Sequence, residues 1–427
     1  MVSLVLFGLL ALFLILNAPV GIAIGIASIG TMIYGGTASL MSIPQALVSS
    51  VDSFPLLAIP LFIFAGDLMC VGGLSSRILN VCNVFFGRVT GGLAIVTVVF
   101  CMFFAAVSGS ATATVAAVGT MVIPTMLRLG YSKPFVLALI TTAGSLGVII
   151  PPSIPMVIFG VATGASVTSM FMGGFFPGLL IGFALIAYSY YHCKKAGIQG
   201  TAEKISKEEA LKAIWDSKWA MINPVIILGG IYLGVFTPTE AAAVAVGYAL
   251  LCGWLLHREL TFKTLVSALK TSCSTTGTAM IIIGFATSFS KVLTLEHIPE
   301  LVAQGLLEFS SNKIVLIMLI IGLLLIVGCF MDATPAILIL GPILLPVTQA
   351  IGLDPVHYGI IFIVAVAIGY TTPPLGTNLF VCSRIANEPV EVILKGMMPF
   401  FAVMIGCLLA IAFIPDIVMF LPNMLAK

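Results

Sequence analysis

The side chains with most chemical reach in this chain sit in two short stretches. Residues 107–114 read VSGSATAT and residues 331–334 read MDAT. Ser108, Ser110, Thr112 and Thr114 bring four hydroxyl oxygens together within two helical turns, and Asp332 brings a carboxylate into an otherwise apolar run. Oxygens of this kind are hard ligands that suit Na+. A Ser or Asp just before a helix also caps its free N–H groups. Ser and Thr in membrane helices often only back-bond to their own carbonyls, whereas an acid at bilayer depth is a functional candidate by default. Downstream of each stretch lies a break, GVIIPPS at 147–153 and GYTTPPLGTN at 369–378. Pro-Pro removes two backbone donors and clashes with the preceding turn, so neither segment continues as a helix. Thr371, Thr372, Thr377 and Asn378 add oxygens beside the second break.

The two regions are copies. An ungapped offset (111 to 333) aligns Ala111 with Ala333, Thr112 with Thr334, Gly119 with Gly341 and Pro124 with Pro346. It also aligns Gly130 with Gly352, Gly147 with Gly369 and Pro151-Pro152 with Pro373-Pro374. Most of these are Gly or Pro, the residues that fix backbone shape, so the repeat is structural. Asp332 stands where the first copy has Ser110, so the two sites are expected to differ.

The elements that must position these groups are membrane helices. The chain of 427 residues is 60% hydrophobic and 8% charged, against about 25% charged in soluble domains. The nine cysteines form no C-x-x-C pair and read as buried free thiols. Residues 2–16 lack a basic leader and read as a first helix rather than a cleaved signal. Apolar runs predict spans at 2–16, 18–36 and 44–70, the last kinked by Pro55 and Pro60, then a connector at 74–90. Two short helices fill 91–128, and a span over 133–165 is broken at 150–153. After a span at 170–192, residues 203–217 predict an amphipathic helix along the membrane surface. The second half follows with spans at 219–235, 239–256 and 262–294, a hairpin at 313–350, a broken span at 356–384 and a last span at 397–421.

If each Ser-Gly-Ser or Met-Asp-Ala-Thr stretch is a hairpin tip, each half has an odd number of crossings and the second half is inverted. Placing residues 193–218 in the cytoplasm puts all of the 18 Lys and Arg there except Lys291, Lys313 and Lys427, as the positive-inside rule requires. Both termini then face the periplasm. The expected fold is an all-α polytopic membrane protein, an inverted repeat with two re-entrant hairpins and two broken helices. Its parts are scaffold helices at 1–90, a first hairpin and broken helix at 91–165, and a span with the cytoplasmic arm at 166–218. Scaffold helices at 219–312, a second hairpin and broken helix at 313–390, and a C-terminal span at 391–427 complete it.

Broken helices at mid-membrane are tolerated only where they line a polar cavity. There a helix that ends offers carbonyls to a cation and a helix that starts offers N–H groups to a carboxylate. This is the pattern of a secondary transporter. The four histidines lie at span ends, and no Ser-His-Asp set, HExxH helix or phosphate loop occurs, so nothing reads as an enzyme. Asp52, Asp67 and Glu240 lie near kinks or span ends and read as caps or interdomain pairs.

SGSATATVAAVGTMVIP, GSLGVIIPPSIPM, FTPTEAAAVA and TTPPLGTNLFV, in that order, resemble the large membrane subunit of TRAP transporters, the DctM type. The resemblance covers essentially the whole chain. It implies a Na+-coupled elevator importing an organic acid across the bacterial inner membrane, of the C4-dicarboxylate or sialic acid class with a lean to the latter. It implies two partners: a small four-helix DctQ-type membrane subunit, expected as a separate chain, and a periplasmic substrate-binding protein. Nucleic acid has no place in this reading. Hairpin tips followed by Pro-Pro breaks also look like the divalent-anion/Na+ symporters. That similarity implies Na+ at Ser108, Ser110, Gly147 and Pro151 in one half and at Asp332, Gly369, Thr372 and Gly376 in the other. Substrate would meet Ser110, Thr112, Ser153, Thr334, Thr377 and Asn378. A stand-alone Na+/dicarboxylate symporter is the alternative within transporters. A membrane subunit of a redox or proton-pumping complex is the alternative of another class, and it predicts buried Lys, Glu or His along the midplane, where this chain offers chiefly Asp332.

Overall fold

A computed structural model describes residues 2–16, 18–36, 41–200, 206–310 and 312–425. Every regular element among them is helical. Among the described residues eight helices are long and apolar enough to cross a membrane, or up to nine counting the bent pair Lys133–Ile149 and Ile154–Thr163, which turns by 43°.

The repeat sits at the centre. The first hairpin is Gly92–Ser108 with Ala111–Arg128, and the second is Lys313–Phe330 with Ala333–Ala350. Each half-helix has 17 or 18 residues, at about 1.5 Å per residue near the lower limit for spanning the ~30 Å hydrocarbon core. The broken spans lie between them. All residues from Phe135 to Gly144 and from Val356 to Gly369 are buried, which explains why these segments are apolar on every face. Sheathed in protein, the first can be interrupted at 150–153 without showing bare backbone to lipid. Both Pro-Pro bonds, Pro151-Pro152 and Pro373-Pro374, are cis.

Helices Val167–Lys195 and Val390–Phe413 pack against hairpin and broken-span helices. On another side, helix Phe262–Leu295 packs against Val20–Gly35, Ser42–Val51 and Ala58–Val71, and also touches Ala333–Ala350 of the second hairpin.

Four expectations change. The run at 44–70 is not one kinked span but helix Ser42–Val51 and, after a break at Asp52-Ser53, a 3-10 segment Phe54–Leu57 that runs straight into helix Ala58–Val71. The break falls before Pro55, which sits in the new helix's first turn where its missing N–H costs nothing. The amphipathic arm and the following span are one helix, Lys207–Tyr232, because Asp216-Ser217-Lys218 contains no helix breaker. Ser206 and Glu209 start it with a reciprocal capping box; residues 203–205 of the expected arm lie outside the described residues. An unforeseen amphipathic helix, Ile298–Phe309, precedes the second hairpin. The C-terminal run divides at Ile414-Pro415 into Val390–Phe413 and Asp416–Leu425, again before a proline.

Candidate functional site

At the first tip, Gly109 turns the chain with φ of 60°, in the left-handed region where Gly carries no penalty. Ser110 is extended and its hydroxyl accepts the Ala113 N–H at 3.4 Å, capping the outgoing helix. Thr114 donates its hydroxyl to the Ser110 carbonyl at 2.8 Å. Its proton is thereby committed, so Ser108, 3.1 Å from the same oxygen, is the donor in that pair. The first break comes to this tip: the Ile154 N–H donates to the Gly109 carbonyl at 3.3 Å. Gly147 touches it too, since a Cβ there would fall 2.3 Å from the Ser110 carbonyl oxygen and 2.5 Å from the Thr114 hydroxyl. Ser108, Ser110 and Gly147 are thus brought together, with Pro151 buried in the adjoining turn.

The second tip is built differently. Asp332 precedes its helix but makes no capping bond; the Ala333 N–H donates instead to the Tyr370 hydroxyl at 2.6 Å. Tyr370, which follows Gly369 in the second broken span, also faces the Asp332 carboxylate. Gly369 meets the end of the incoming half-helix, where a Cβ would lie 2.4 Å from the Gly328 backbone. Its counterpart Gly147 meets the outgoing one. The breaks differ in exposure as well: Pro151, Pro152 and Ser153 are buried, whereas Pro373, Pro374 and Leu375 are exposed.

Both tips open into one cavity of about 380 Å3. Ser110, Thr112, Asp332 and Thr334 line it, as does Tyr370. Its far wall is helix Phe262–Leu295, which contributes Ser274, Thr275 and Thr278. Helix Ala58–Val71 contributes Ile63. Asp332 is the one charged side chain in the lining, with no Lys, Arg or His beside it.

The other expected site residues lie outside this lining. Ser153 is buried and donates to the Val148 carbonyl at 2.6 Å. Thr372 donates to the Ile368 carbonyl at 3.1 Å. Gly376 packs under the Tyr370 and Thr372 carbonyl oxygens, where a Cβ would lie at 2.6 and 2.8 Å. Asn378 donates through Nδ2 to the Thr141 carbonyl of the first broken span at 3.2 Å. The Thr377 hydroxyl and Asn378 Oδ1 are buried without a hydrogen-bond partner. Buried oxygens without a partner are costly by themselves and favourable around a dehydrated cation.

Sequence reasoning missed Tyr370 and the hydroxyl wall. The wall had a signal: Thr264, Ser267, Thr271, Ser274, Thr275 and Thr278 recur at steps of three and four, one face of a helix. Tyr370 had none, since an aromatic beside a break reads equally as packing.

An all-helical membrane protein in which two hairpin tips and two broken spans meet at a polar cavity is a secondary transporter in architecture. The chain belongs to the family described as the DctM component of the tripartite ATP-independent periplasmic transporters, which matches residues 7–417. These are transport subunits, not enzymes. The isethionate TRAP transporter permease protein DctMQ of Oleidesulfovibrio alaskensis is 45% identical over 416 residues, covering 97% of this chain. This chain spans only 66% of that relative's length. The C4-dicarboxylate large permease protein DctM of Vibrio cholerae is 38% identical, covering 96% of this chain and 95% of its own. The sialic acid large permease protein SiaM of the same species is 35% identical, covering 98% and 97%. The crystal structure of the Alcanivorax borkumensis YdaH transporter matches with a TM-score of 0.64 at 15% identity, covering 87% of this chain and 88% of its own. That likeness concerns the fold alone.

Proposed function

We propose that this chain carries a small organic anion into the cell together with Na+, as the translocating subunit of a tripartite importer. The observation that carries the reading is the cavity's charge. An anion entering beside Asp332 meets no basic side chain. The N-termini of Ala111–Arg128 and Ala333–Ala350 offer about half a positive charge each, which offsets Asp332 and leaves nothing for the cargo. A co-travelling cation supplies the deficit. Asp332 holds one Na+ at the second tip, and the Gly376–Asn378 turn, with its unpartnered oxygens, holds another. Ser108, Ser110, Gly147 and Pro151 frame a third at the first tip. Ser110, Thr112 and Thr334 then contact the substrate through hydroxyls.

The substrate class spans organic acids of the kinds that name the relatives, from isethionate and C4-dicarboxylates to sialic acid. A hydroxyl-lined cavity favours a hydroxylated acid such as sialic acid. Hairpins and broken spans move as one body against a scaffold that includes Phe262–Leu295, carrying the site across the bilayer. A four-helix membrane subunit braces the scaffold and a periplasmic binding protein delivers substrate. The segment around residues 193–218 faces the cytoplasm.

The test is uptake of labelled isethionate, succinate and sialic acid into proteoliposomes, with and without an inward Na+ gradient, each with and without the two partners. The reading expects uptake only with Na+ and all three components, and Asp332→Ala is expected to lose Na+ stimulation while staying folded. Robust uptake by this chain alone would favour the stand-alone symporter; retained Na+ coupling in Asp332→Ala would remove that residue from the ion site.

A further inference from the structure

A second cavity, of about 1080 Å3, shares no lining residue with the first and lies between helix Leu74–Phe86 and the first turns of helix Lys207–Tyr232. One wall presents Ser76, Asn80 and Asn83, and the other Glu209, Lys212 and Asp216, each set along a single helix face. The helices are tied by the Ser217 hydroxyl, which donates to the Arg77 carbonyl at 2.9 Å. Among the described residues no other side-chain hydrogen bond or ion pair joins them.

The charges in the groove balance. Arg77 pairs with Glu259 at 2.6 Å, and burial, then the nearby Arg77, lowers the His257 pKa below its ordinary value, leaving the ring neutral at pH 7. Two cations, Lys212 and Lys218, remain against two anions, Asp216 and Glu209; Lys218 rests on the Trp215 ring at 3.1 Å, and Glu209 keeps one carboxylate oxygen on the Ser206 N–H. The depth of the groove is also marked. Trp215 and Trp219 line it, and Trp254, the last of the chain's 3 Trp, lies on the adjoining turn Cys252–Leu256. Trp concentrates at membrane–water boundaries. Just outside the lining, next in sequence to Lys212, Leu256 and Val84, stand exposed apolar side chains, Leu211 at 67%, Leu255 at 66% and Phe85 at 57%. Charged and apolar groups exposed side by side fit the headgroup layer and neither bulk water nor hydrocarbon.

We propose that this groove binds an aminophospholipid headgroup, its phosphate on Lys212 and Lys218, its ammonium on Asp216 and Glu209, and its acyl chains over Leu211, Leu255 and Phe85. The carboxylates disfavour an anionic lipid. A primary ammonium also donates three hydrogen bonds where a trimethylammonium donates none. Helix Leu74–Phe86 leads directly into the first hairpin, so the headgroup braces the joint through which that hairpin hangs.

The experiment is native mass spectrometry and thermal unfolding of the purified full chain in detergent, with phosphatidylethanolamine, phosphatidylcholine, phosphatidylglycerol or soluble phosphoethanolamine added. Phosphatidylethanolamine is expected to be retained best and to raise the unfolding midpoint most, with phosphoethanolamine inert. Lys212→Gln and Asp216→Asn should each weaken its retention about tenfold, the loss of one charge-assisted hydrogen bond. Asp216→Asn alone should improve retention of phosphatidylglycerol. Equal retention of the three lipids, an equal shift with phosphoethanolamine, or retention unchanged in both variants would each overturn the assignment.

Discussion

Tyr370, in the second broken span, accepts the N–H of Ala333, the first residue of the half-helix leaving the second hairpin tip, at 2.6 Å. The bond joins two elements that come together only in the folded repeat, and it occupies the N–H that Asp332 leaves uncapped. Tyr370→Phe removes the acceptor and strands a buried donor, costing ~1–3 kcal/mol. The expected outcome is a lower unfolding midpoint and, because Tyr370 also faces Asp332, a several-fold rise in the Na+ concentration for half-maximal uptake. An unchanged Na+ dependence would separate Tyr370 from the ion site.

Thr377 makes the opposite forecast. Its hydroxyl is buried and bonds to nothing among the described residues, so Thr377→Val removes an unmet polar group at nearly constant volume. Replacing such a group is close to neutral or stabilising. If the oxygen serves a cation, the same variant needs about tenfold more Na+, equivalent to ~1.4 kcal/mol of lost binding. Thermal unfolding without Na+ and uptake against Na+ concentration check the two halves separately. A variant that unfolds more easily and binds Na+ normally would mark Thr377 as structural.

The helical order, the hairpins and the Pro-Pro breaks were legible because Gly and Pro act locally: a residue without a donor breaks a helix wherever the helix lies. The continuity of Lys207–Tyr232 was not legible, because the change from amphipathic to apolar composition near Trp219 looks like an end although no residue there stops a helix. Ser110, Thr112, Asp332 and Thr334 were placed from sequence and do share one cavity, because a hairpin tip announces itself. Which side of the break Thr377 and Asn378 face depends on how Thr377–Ala386 packs against Ala111–Arg128 and Lys133–Gly144, a tertiary relation that neighbouring residues do not encode.

Gly147 is needed for space. Its backbone is compatible with any residue, yet a methyl group would press on the Ser110 carbonyl and the Thr114 hydroxyl. Gly147→Ala is expected to push the first tip from the broken span, with a loss of ~1–3 kcal/mol and of transport. Gly247→Ala is the control. It lies within helix Pro238–Leu251 with nothing within 4 Å of an added Cβ, and Ala is favoured there by up to ~1 kcal/mol. Paired unfolding curves should move in opposite directions; a neutral Gly147→Ala would show that the tip yields without cost.

The hydroxyl face of Phe262–Leu295 continues below the cavity. Ser274, Thr275 and Thr278 line the site, and Thr271, Ser267 and Thr264 extend the same face towards the helix start beside Lys263. Thr271, Thr275 and Thr278 back-bond to the Ser267, Thr271 and Ser274 carbonyls, which keeps the face compatible with a helix while leaving oxygens to hydrate. Exposed Cys273, two positions from Thr271, points to nearly the opposite side at 100° per residue. If the face is a water-filled path for the released anion, Thr271→Cys should react with a charged, membrane-impermeant maleimide about tenfold faster than Cys273 in the same protein, since a thiolate forms in water and not in lipid. Site-resolved mass spectrometry of the labelled protein in sealed vesicles gives both rates at once. Labelling from the side bearing residues 193–218 would place the path's mouth in the cytoplasm, and a Thr271→Cys thiol as inert as Cys273 would put this face against lipid and close the path.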